Sequence, residues 1–140
     1  GIKPYTLGAD MHGYNVSAPQ TGMSDSEKST NPFAGVAPFN LTVAMSELLA
    51  FGMPLADIVD TVCANPAAML GMSDELGHLK LGANAEMTFL EMLNGRFVLS
   101  DNSGVEVVTD RLIQPHACLM NGTRHEADSP FVPPPVMAAA

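Results

Sequence analysis

The sequence has little basic charge, few cysteines and no long apolar run. Six lysine and arginine residues stand against 15 acidic residues, so the net charge of the 140-residue chain is −9 at pH 7. Such a chain repels the phosphates of nucleic acids and of anionic membranes, and it has no basic stripe to offset the repulsion. No apolar stretch approaches the roughly 18 to 20 residues that span a bilayer. We therefore expect neither nucleic acid nor a membrane as a partner.

Cysteine occurs only at positions 63 and 118, without the CxxC or other spacing of a metal site. Free cysteine packs as a small hydrophobe, so Cys63 and Cys118 are interpreted as buried thiols, with a disulfide or a catalytic role as the alternative. Unpaired thiols are typical of a reducing compartment, and the sequence opens without a charged and then apolar leader. These features predict a cytoplasmic protein.

The chain nevertheless contains enough apolar residues for a packed core, since 46% of it is hydrophobic and 15% is charged. Residues 3–9 form a short apolar run between Pro4 and Gly8, which is too brief for a helix and predicts a buried strand. Residues 13–38 are rich in polar residues, glycine and proline, which predicts a long loop. Loops of this length in compact domains tend to be functional or disordered.

Two amphipathic helices are predicted next. The first lies between a cap at Asn40 and a stop at Gly52, because its apolar residues recur at helical spacing. Those residues are Leu41, Met45, Leu48 and Leu49. The second begins at Pro54 and is interrupted by the Asn-Pro dipeptide at 65–66, from which a short turn runs to about Gly71. Its predicted apolar face comprises Leu55, Ile58, Val59, Val62 and Cys63.

Beyond Gly71 the pattern becomes β-like. Residues 87–92, 96–100, 105–109 and 111–120 predict strands, with a turn at 101–104. Asn121 and Gly122 predict a type I′ hairpin turn. The proline-rich tail from His125 is expected not to continue a ladder and to be frayed. The sequence therefore predicts a small antiparallel β region after the helices.

Three motifs occur in a fixed order. Asp10 ends the predicted strand, VCANPAAMLG occupies 62–71, and ELGHLKLGANAEM occupies 75–87. In this order, over roughly residues 4–124, they resemble the C-terminal third of amidohydrolase-superfamily enzymes, most closely the dihydroorotase-like and deacetylase-like metallohydrolases. The chain departs from the superfamily pattern at three positions. Asn84 and Glu86 stand where aspartates are usual, and Cys63 replaces a common threonine.

The resemblance implies an α/β fold, namely the C-terminal piece of a (β/α)8 barrel followed by strands of a small β domain. Residues 1–71 would supply the last barrel strand, the active-site loop and the helices, residues 72–124 the β strands, and residues 125–140 a disordered tail. The other barrel strands would lie outside this chain. We therefore expect an exposed apolar face on the Leu41 and Ile58 helices and an open edge beside Thr6, both of which favour association into a homo-oligomer.

The resemblance also implies a role for Asp10. In the superfamily, the aspartate that ends the eighth barrel strand contacts a metal and takes a proton from the attacking hydroxide. The chemistry is intelligible in general terms, because a divalent metal lowers the pKa of bound water and a nearby carboxylate can move its proton. Period-2 spacing would aim His12 toward the same side as Asp10. His12, Tyr14 and Asn15 are therefore candidate substrate-binding residues.

Simpler roles remain open for the polar residues near the predicted strand. Asp10 could form an Asx turn or cap a short turn, and His12 could be an ordinary hydrogen-bonded loop histidine. His78, His116 and His125 are interpreted as structural, because they lie in the β region or the tail.

The sequence thus predicts the carboxy-terminal part of a metal-dependent hydrolase that cleaves an amide-type or related acyl bond in a small molecule. The resemblance implies a pair of divalent ions, zinc by analogy, held by a His-x-His pair, a bridging carboxylate and further histidines that this chain lacks. One carboxylate cannot satisfy zinc, which takes three or four protein ligands, so the chain alone is expected to be inactive. The alternatives are a non-catalytic interaction or assembly module, or a mononuclear site that includes Asp10 and His12.

Overall fold

The computed structural model of the chain describes residues 2–9, 40–100, 105–128 and 135–138. Three helices precede three strands in these ranges. The helices are α1 (Leu41–Ala50), α2 (Leu55–Val62) and α3 (Ala64–Met69), and the strands are β1 (Met87–Ser100), β2 (Glu106–Met120) and β3 (Thr123–Glu126). The strands form one antiparallel sheet in the order β1-β2-β3, and α1 packs against β2. The architecture is therefore α/β with an antiparallel sheet.

Helix α1 begins and ends where the sequence predicts. The Asn40 side chain accepts a hydrogen bond from the Val43 amide at 3.0 Å, which satisfies one of the unpaired donors at the helix start. Gly52 follows the helix with φ 85°, a left-handed conformation that glycine adopts without steric cost. Met45 and Leu49 are buried on the inner face, while Leu41 stays partly in solvent.

Helix α2 buries a narrower face than predicted. Ile58 and Thr61 are buried, but Leu55 and Val59 are exposed, so the five-residue apolar face of the prediction is only partly a core face. The chain breaks at Cys63, two residues before the predicted Asn-Pro interruption, and α3 already includes Pro66. Proline is tolerated there because the first turn of a helix has no acceptor for its amide.

The core lies between the helices and one face of the sheet. Its first cluster comprises Met45, Leu49, Ile58 and Ile113, and its second comprises Phe97, Leu99 and Leu112. Between the layers, the buried Ser46 hydroxyl accepts a hydrogen bond from the Ile113 amide at 2.9 Å and donates one to the Thr42 carbonyl at 2.7 Å. This hydroxyl joins α1 to β2 at Ile113, outside the stretch 117–120 of β2 that pairs with β3.

The sheet contains longer strands than the sequence predicts. β1 runs without interruption from Met87 to Ser100, and a register shift between Asn94 and Phe97 places two residues of β1 opposite one residue of β2. A second shift leaves His116 of β2 without a partner on β1. The residues that look like strand breaks in the sequence are therefore accommodated as β-bulges within continuous strands.

The Asn121–Gly122 turn is confirmed. Asn121 has φ 50° and Gly122 has φ 74°, and two successive positive φ angles are the signature of a type I′ turn. The turn joins β2 to β3, with Met120 paired to Thr123. The other predicted turn, at 101–104, lies outside the described residues.

The prediction that nothing from His125 onward continues a ladder is wrong for two short segments. His125 and Glu126 pair with β2, and the Ala127 amide donates to the His116 carbonyl at 3.0 Å. Farther on, the Val98 amide donates to the Val136 carbonyl, and the Ala138 amide donates to the Arg96 carbonyl, both at 2.8 Å. Proline has no amide hydrogen to donate. In this last pairing the donor from the tail is the amide of Ala138, which lies beyond the prolines.

The predicted strand at residues 3–9 does not form a ladder in the described part of the chain. Strands are assigned by backbone hydrogen bonds to another strand. The described backbone hydrogen bond of residues 2–9 is to the end of a helix. The open edge at Thr6 and the association of chains stay predictions. No helix in the described ranges combines the length and the hydropathy that a bilayer crossing requires.

Candidate active site

The four predicted site residues, Asp10, His12, Tyr14 and Asn15, all lie outside the described residues. The part of the site that the structure describes is the stretch that leads to Asp10. We call residues 2–9 the leading segment. Its described polar contacts are with α2 and α3.

Two hydrogen bonds attach the leading segment to the α2–α3 junction. The Leu7 amide donates to the Thr61 carbonyl at 3.1 Å, and the Asn65 side-chain amide donates to the Tyr5 carbonyl at 2.8 Å. The two backbone groups are two residues apart, as on one edge of a strand. An exposed ion pair between Lys3 and Asp57 adds a third contact, of the kind that stabilises little.

The helix end supplies an acceptor for a simple reason. The last four carbonyls of an α-helix lack an intrahelical partner, and Thr61 is the penultimate residue of α2. Its carbonyl is therefore free to accept from Leu7, while its own hydroxyl donates to the Ile58 carbonyl at 2.7 Å. Thr61 is buried, so this end of the helix is well fixed.

The side chain of Leu7 strengthens the attachment. It is partly buried and packs against the first core cluster, which includes Ile58 of α2. Burial of a leucine side chain is worth about 1.5 to 3 kcal/mol when complete. The leading segment is thus held by apolar contact as well as by hydrogen bonds, three residues before Asp10.

The third motif, residues 75–87, packs against the same junction. Gly77 has φ 79°, and a Cβ atom added to it would lie 2.9 Å from the Cys63 carbonyl oxygen, 2.9 Å from the Ala67 Cβ and 3.0 Å from the Ala64 Cα. Only glycine fits this approach. At the end of the motif, the Glu86 carboxylate accepts a hydrogen bond from the Asn121 amide at 3.0 Å and so reaches the hairpin turn.

The remaining histidines and cysteines show no catalytic arrangement. His78 contacts only neighbouring backbone, through its Nε2 at 3.3 Å from the Asp74 carbonyl and its Nδ1 at 3.5 Å from the Lys80 amide. Cys63 and Cys118 form no disulfide. The prediction of a buried thiol is wrong for Cys63, which follows the last residue of α2 and is exposed, and Cys118 is only partly buried.

The surroundings of the Cys63 thiol disfavour its ionisation. Partial desolvation of the sulfur and the nearby Asp60 carboxylate raise its pKa above the usual value, although the residue as a whole is exposed. A raised pKa leaves less thiolate at neutral pH, and thiolate is the reactive form. A catalytic role for Cys63 therefore has no support.

The described residues do not by themselves fit a metal ion. Within the ranges 2–9, 40–100, 105–128 and 135–138, no group of three or more histidine, cysteine, aspartate or glutamate residues could hold one. The metal ligand that the sequence predicts is Asp10, which lies outside these ranges. A carboxylate oxygen is a suitable ligand for zinc but supplies one position of the four.

A groove lies between α1 and the sheet, away from the leading segment. It has a volume of about 600 Å³ between the end of α1 and the bulge of the sheet, and it is lined by Leu49, Ala50, Gly95, Arg96, Val108, Thr109, Asp110 and Arg111. None of these lining residues belongs to the leading segment, α2 or α3. The groove is therefore separate from the leading segment and from the α2–α3 junction.

Two curated deacetylases are similar to this chain in sequence. No protein-family model matches the chain. A deacetylase from Brucella anthropi is 23% identical over 133 residues, and a deacetylase from Agrobacterium fabrum is 24% identical over 133 residues. Each alignment covers 95% of this chain and 28% of the relative, so the chain spans little more than a quarter of the curated relatives it matches.

Solved structures agree in fold. The crystal structure of a dihydroorotase superposes with a TM-score of 0.57 at 26% identity, covering 63% of this chain and 23% of that one. The crystal structure of an adenine deaminase gives a TM-score of 0.59 at 23% identity, covering 64% of this chain and 24% of that one. The chain is amidohydrolase-like. The roles predicted for Asp10, His12, Tyr14 and Asn15 in this amidohydrolase-like chain stay predictions.

The structure brings together parts of the chain that the sequence analysis linked only by their order. The leading segment, the second motif (residues 62–71) and Gly77 of the third motif all meet at the α2–α3 junction. The contact between Asn65 and Tyr5 was not predicted. The available signal was the Asn-Pro dipeptide, because proline favours the first turn of a helix and an asparagine beside it therefore lies close to a helix start.

Proposed function

We propose that this chain is the carboxy-terminal part of a metal-dependent amidohydrolase that hydrolyses an amide-type or related acyl bond in a small molecule. The main support is its similarity to two deacetylases over 95% of its own length and 28% of theirs. A chain that aligns almost completely with a minor part of an enzyme is best explained as the corresponding part of such an enzyme. The similarity in fold to a dihydroorotase and an adenine deaminase supports the same superfamily.

The names of these relatives support a reaction class. A deacetylase removes an acetyl group and a deaminase removes an amino group, and water can perform both reactions by attacking a carbon bonded to nitrogen or oxygen. Such an attack needs an activated water molecule and a group that moves its proton to the leaving group. The proposed substrate is therefore a small molecule with an acylated or amino-bearing carbon.

In the proposal, Asp10 contacts the metal and acts as the general base and acid, and His12, Tyr14 and Asn15 contact the substrate. When bound, a divalent metal such as zinc lowers the pKa of water toward neutrality. Asp10 then accepts the proton of the attacking water and delivers it to the leaving group. The other ligands and barrel strands would come from the rest of the polypeptide, because zinc takes three or four protein ligands.

The proposal is tested by comparing two polypeptides. The 140-residue chain and a longer polypeptide that contains it are assayed with a panel of N-acetylated and O-acetylated small molecules, after dialysis against a chelator and after addition of zinc. We expect zinc-dependent release of acetate or amine by the longer polypeptide and no turnover by the chain alone. Turnover by the chain alone, or hydrolysis by the longer polypeptide that is indifferent to chelation, would contradict the proposal.

A second candidate function is a non-catalytic interaction or assembly module. The observation that favours it is the exposure of large apolar side chains on and near the helices, including Phe51, Leu55, Val59, Met69 and Leu70. Exposed apolar side chains in this number are typical of surfaces that contact another protein. Light scattering of the purified chain tests this candidate, because a stable monomer at high concentration would remove the support for assembly.

A further inference from the structure

We propose that residues 135–138, which we call the tail strand, keep one edge of β1 from pairing with the same edge of a second copy of this chain. Phe97 of β1 pairs with Thr109 of β2 on one side and forms an antiparallel bridge with Met137 on the other. The tail strand therefore covers the edge of β1 that faces away from β2, at the level of Phe97. An uncovered strand edge presents amides and carbonyls that a strand of another chain can bind.

Two backbone hydrogen bonds attach the tail strand, and both are 2.8 Å long. The Val98 amide donates to the Val136 carbonyl, and the Ala138 amide donates to the Arg96 carbonyl. In antiparallel sheets, bonds of this kind flank a residue pair that exchanges none of its own, which here is the bridged pair. This edge of β1 thus offers one donor and one acceptor that point away from β2.

The donor and the acceptor are placed so that two copies of the edge can satisfy each other. They lie on either side of Phe97, so a two-fold axis beside Phe97 brings the Val98 amide of each copy to the Arg96 carbonyl of the other. The second copy then supplies the same acceptor and donor that the tail strand supplies, in the same antiparallel direction. Such an interface is isologous, because one patch contacts itself. This self-complementarity assigns the edge to a second copy of the chain.

The tail strand is held loosely enough to be released. Val136 and Met137 leave 62% and 59% of their surface exposed, so the tail strand buries little apolar area. Pro135 has no amide hydrogen and adds no donor to the pairing. Segments attached by so few contacts open locally at low free energy. Release of the tail strand would expose part of a strand that is 14 residues long, which gives a second copy more edge to pair with than the tail strand uses.

The charge of the chain opposes association of two copies. Each copy carries a net charge of −9, and copies of like charge repel each other. Salt screens this repulsion, since the Debye length falls to about 8 Å at physiological ionic strength. We therefore expect pairing of the uncovered edges to strengthen as the salt concentration rises.

The first measurement tests whether the tail strand covers the edge. In the 140-residue chain, Ala138→Pro removes the amide hydrogen that donates to the Arg96 carbonyl, whereas Ala138→Ser retains it and is the matched control. At low protein concentration, we expect hydrogen exchange of the Val98 amide to be about 10-fold or more faster in Ala138→Pro than in Ala138→Ser, because the tail strand opens more often. Equal exchange in the two variants would overturn the proposal.

The second measurement tests what replaces the tail strand. As concentration and salt rise, we expect sedimentation equilibrium to show a growing dimer fraction for Ala138→Pro, and exchange of the Val98 amide to slow in parallel because the partner copy covers it. In Ala138→Ser, exchange of the Val98 amide is expected not to depend on concentration. Three results would refute the proposal: no added dimer in Ala138→Pro, a dimer that leaves its Val98 exchange unchanged, or concentration-dependent protection of Val98 in Ala138→Ser.

A shortened chain repeats the test if Ala138→Pro does not fold. A chain that ends at residue 134 lacks the whole tail strand and introduces no new proline. Concentration-dependent dimers with protection of the Val98 amide would support the proposal. A monomer whose Val98 amide exchanges rapidly at every concentration would contradict it.

Discussion

Replacement of Gly77 by alanine is expected to destabilise the chain more than the same replacement at Gly82. Both glycines have a left-handed backbone, with φ 79° at Gly77 and φ 86° at Gly82. For an L-residue this conformation costs about 1 to 2 kcal/mol. Only at Gly77 would the new Cβ also overlap other atoms, at 2.9 to 3.0 Å, whereas at Gly82 it would meet nothing within 4 Å.

The overlap at Gly77 cannot be relieved cheaply. Two of the three atoms it meets are backbone atoms of Cys63 and Ala64, and the third is the Cβ of Ala67 in α3, so relief requires a shift of the helix junction. Overpacking of this kind costs about 1 to 3 kcal/mol. Together with the backbone cost, we expect Gly77→Ala to lower the free energy of unfolding by about 2 to 5 kcal/mol. We expect Gly82→Ala to lower it by the backbone cost alone, about 1 to 2 kcal/mol.

Urea denaturation of the two variants, followed by circular dichroism, measures this difference from the midpoints and slopes of the transitions. A midpoint for Gly77→Ala equal to that for Gly82→Ala would refute the reasoning, because it would mean that the α2–α3 junction yields without cost.

Two further predictions concern single side chains. Ser46→Ala leaves the buried Ile113 amide without its acceptor, so it is expected to lower the free energy of unfolding by about 1 to 3 kcal/mol in the same urea assay, with the exposed Ser73→Ala as a neutral control. A loss below about 0.5 kcal/mol would show that the hydroxyl is dispensable. Because its pKa is raised by desolvation and by Asp60, the Cys63 thiol is expected to react with a disulfide reagent more slowly than glutathione at pH 8, and its rate to continue rising at higher pH. Faster reaction than glutathione would contradict the raised pKa.

Features set by local backbone chemistry could be predicted from the sequence. The Asn40 cap, the left-handed Gly52 and the Asn121–Gly122 turn each depend on a residue and its immediate neighbours, and the structure confirms all three. Such features follow from which conformations a residue tolerates and which hydrogen bonds its side chain offers.

Features that depend on distant partners could not be predicted in the same way. The sequence predicted separate strands at 87–92 and 96–100, yet β1 continues through a bulge because β2 pairs on both sides of it. The tail residues Val136 and Ala138 pair with β1, a contact that no local pattern encodes. Conversely, residues 3–9 have the composition of a strand, but the described part of the chain offers them no strand partner.

The candidate site shows the same division. The order of the motifs predicted the kind of protein, which the similarity to deacetylases supports. The contact between Asn65 and Tyr5 joins residues 60 positions apart and could be found only in three dimensions. The exposure of Cys63 likewise could not be predicted from helical spacing. The spacing shows which residues share one face of a helix, but not whether another element covers that face.

The most direct test of the central claim is the turnover of Asp10→Asn in the longer polypeptide, measured per bound metal ion and compared with the exposed Asp128→Asn. The account predicts a loss of about 100-fold or more in kcat, since asparagine cannot accept and return a proton, while Asp128→Asn keeps the wild-type rate. Turnover of Asp10→Asn at the wild-type rate with full metal occupancy would contradict the role assigned to Asp10.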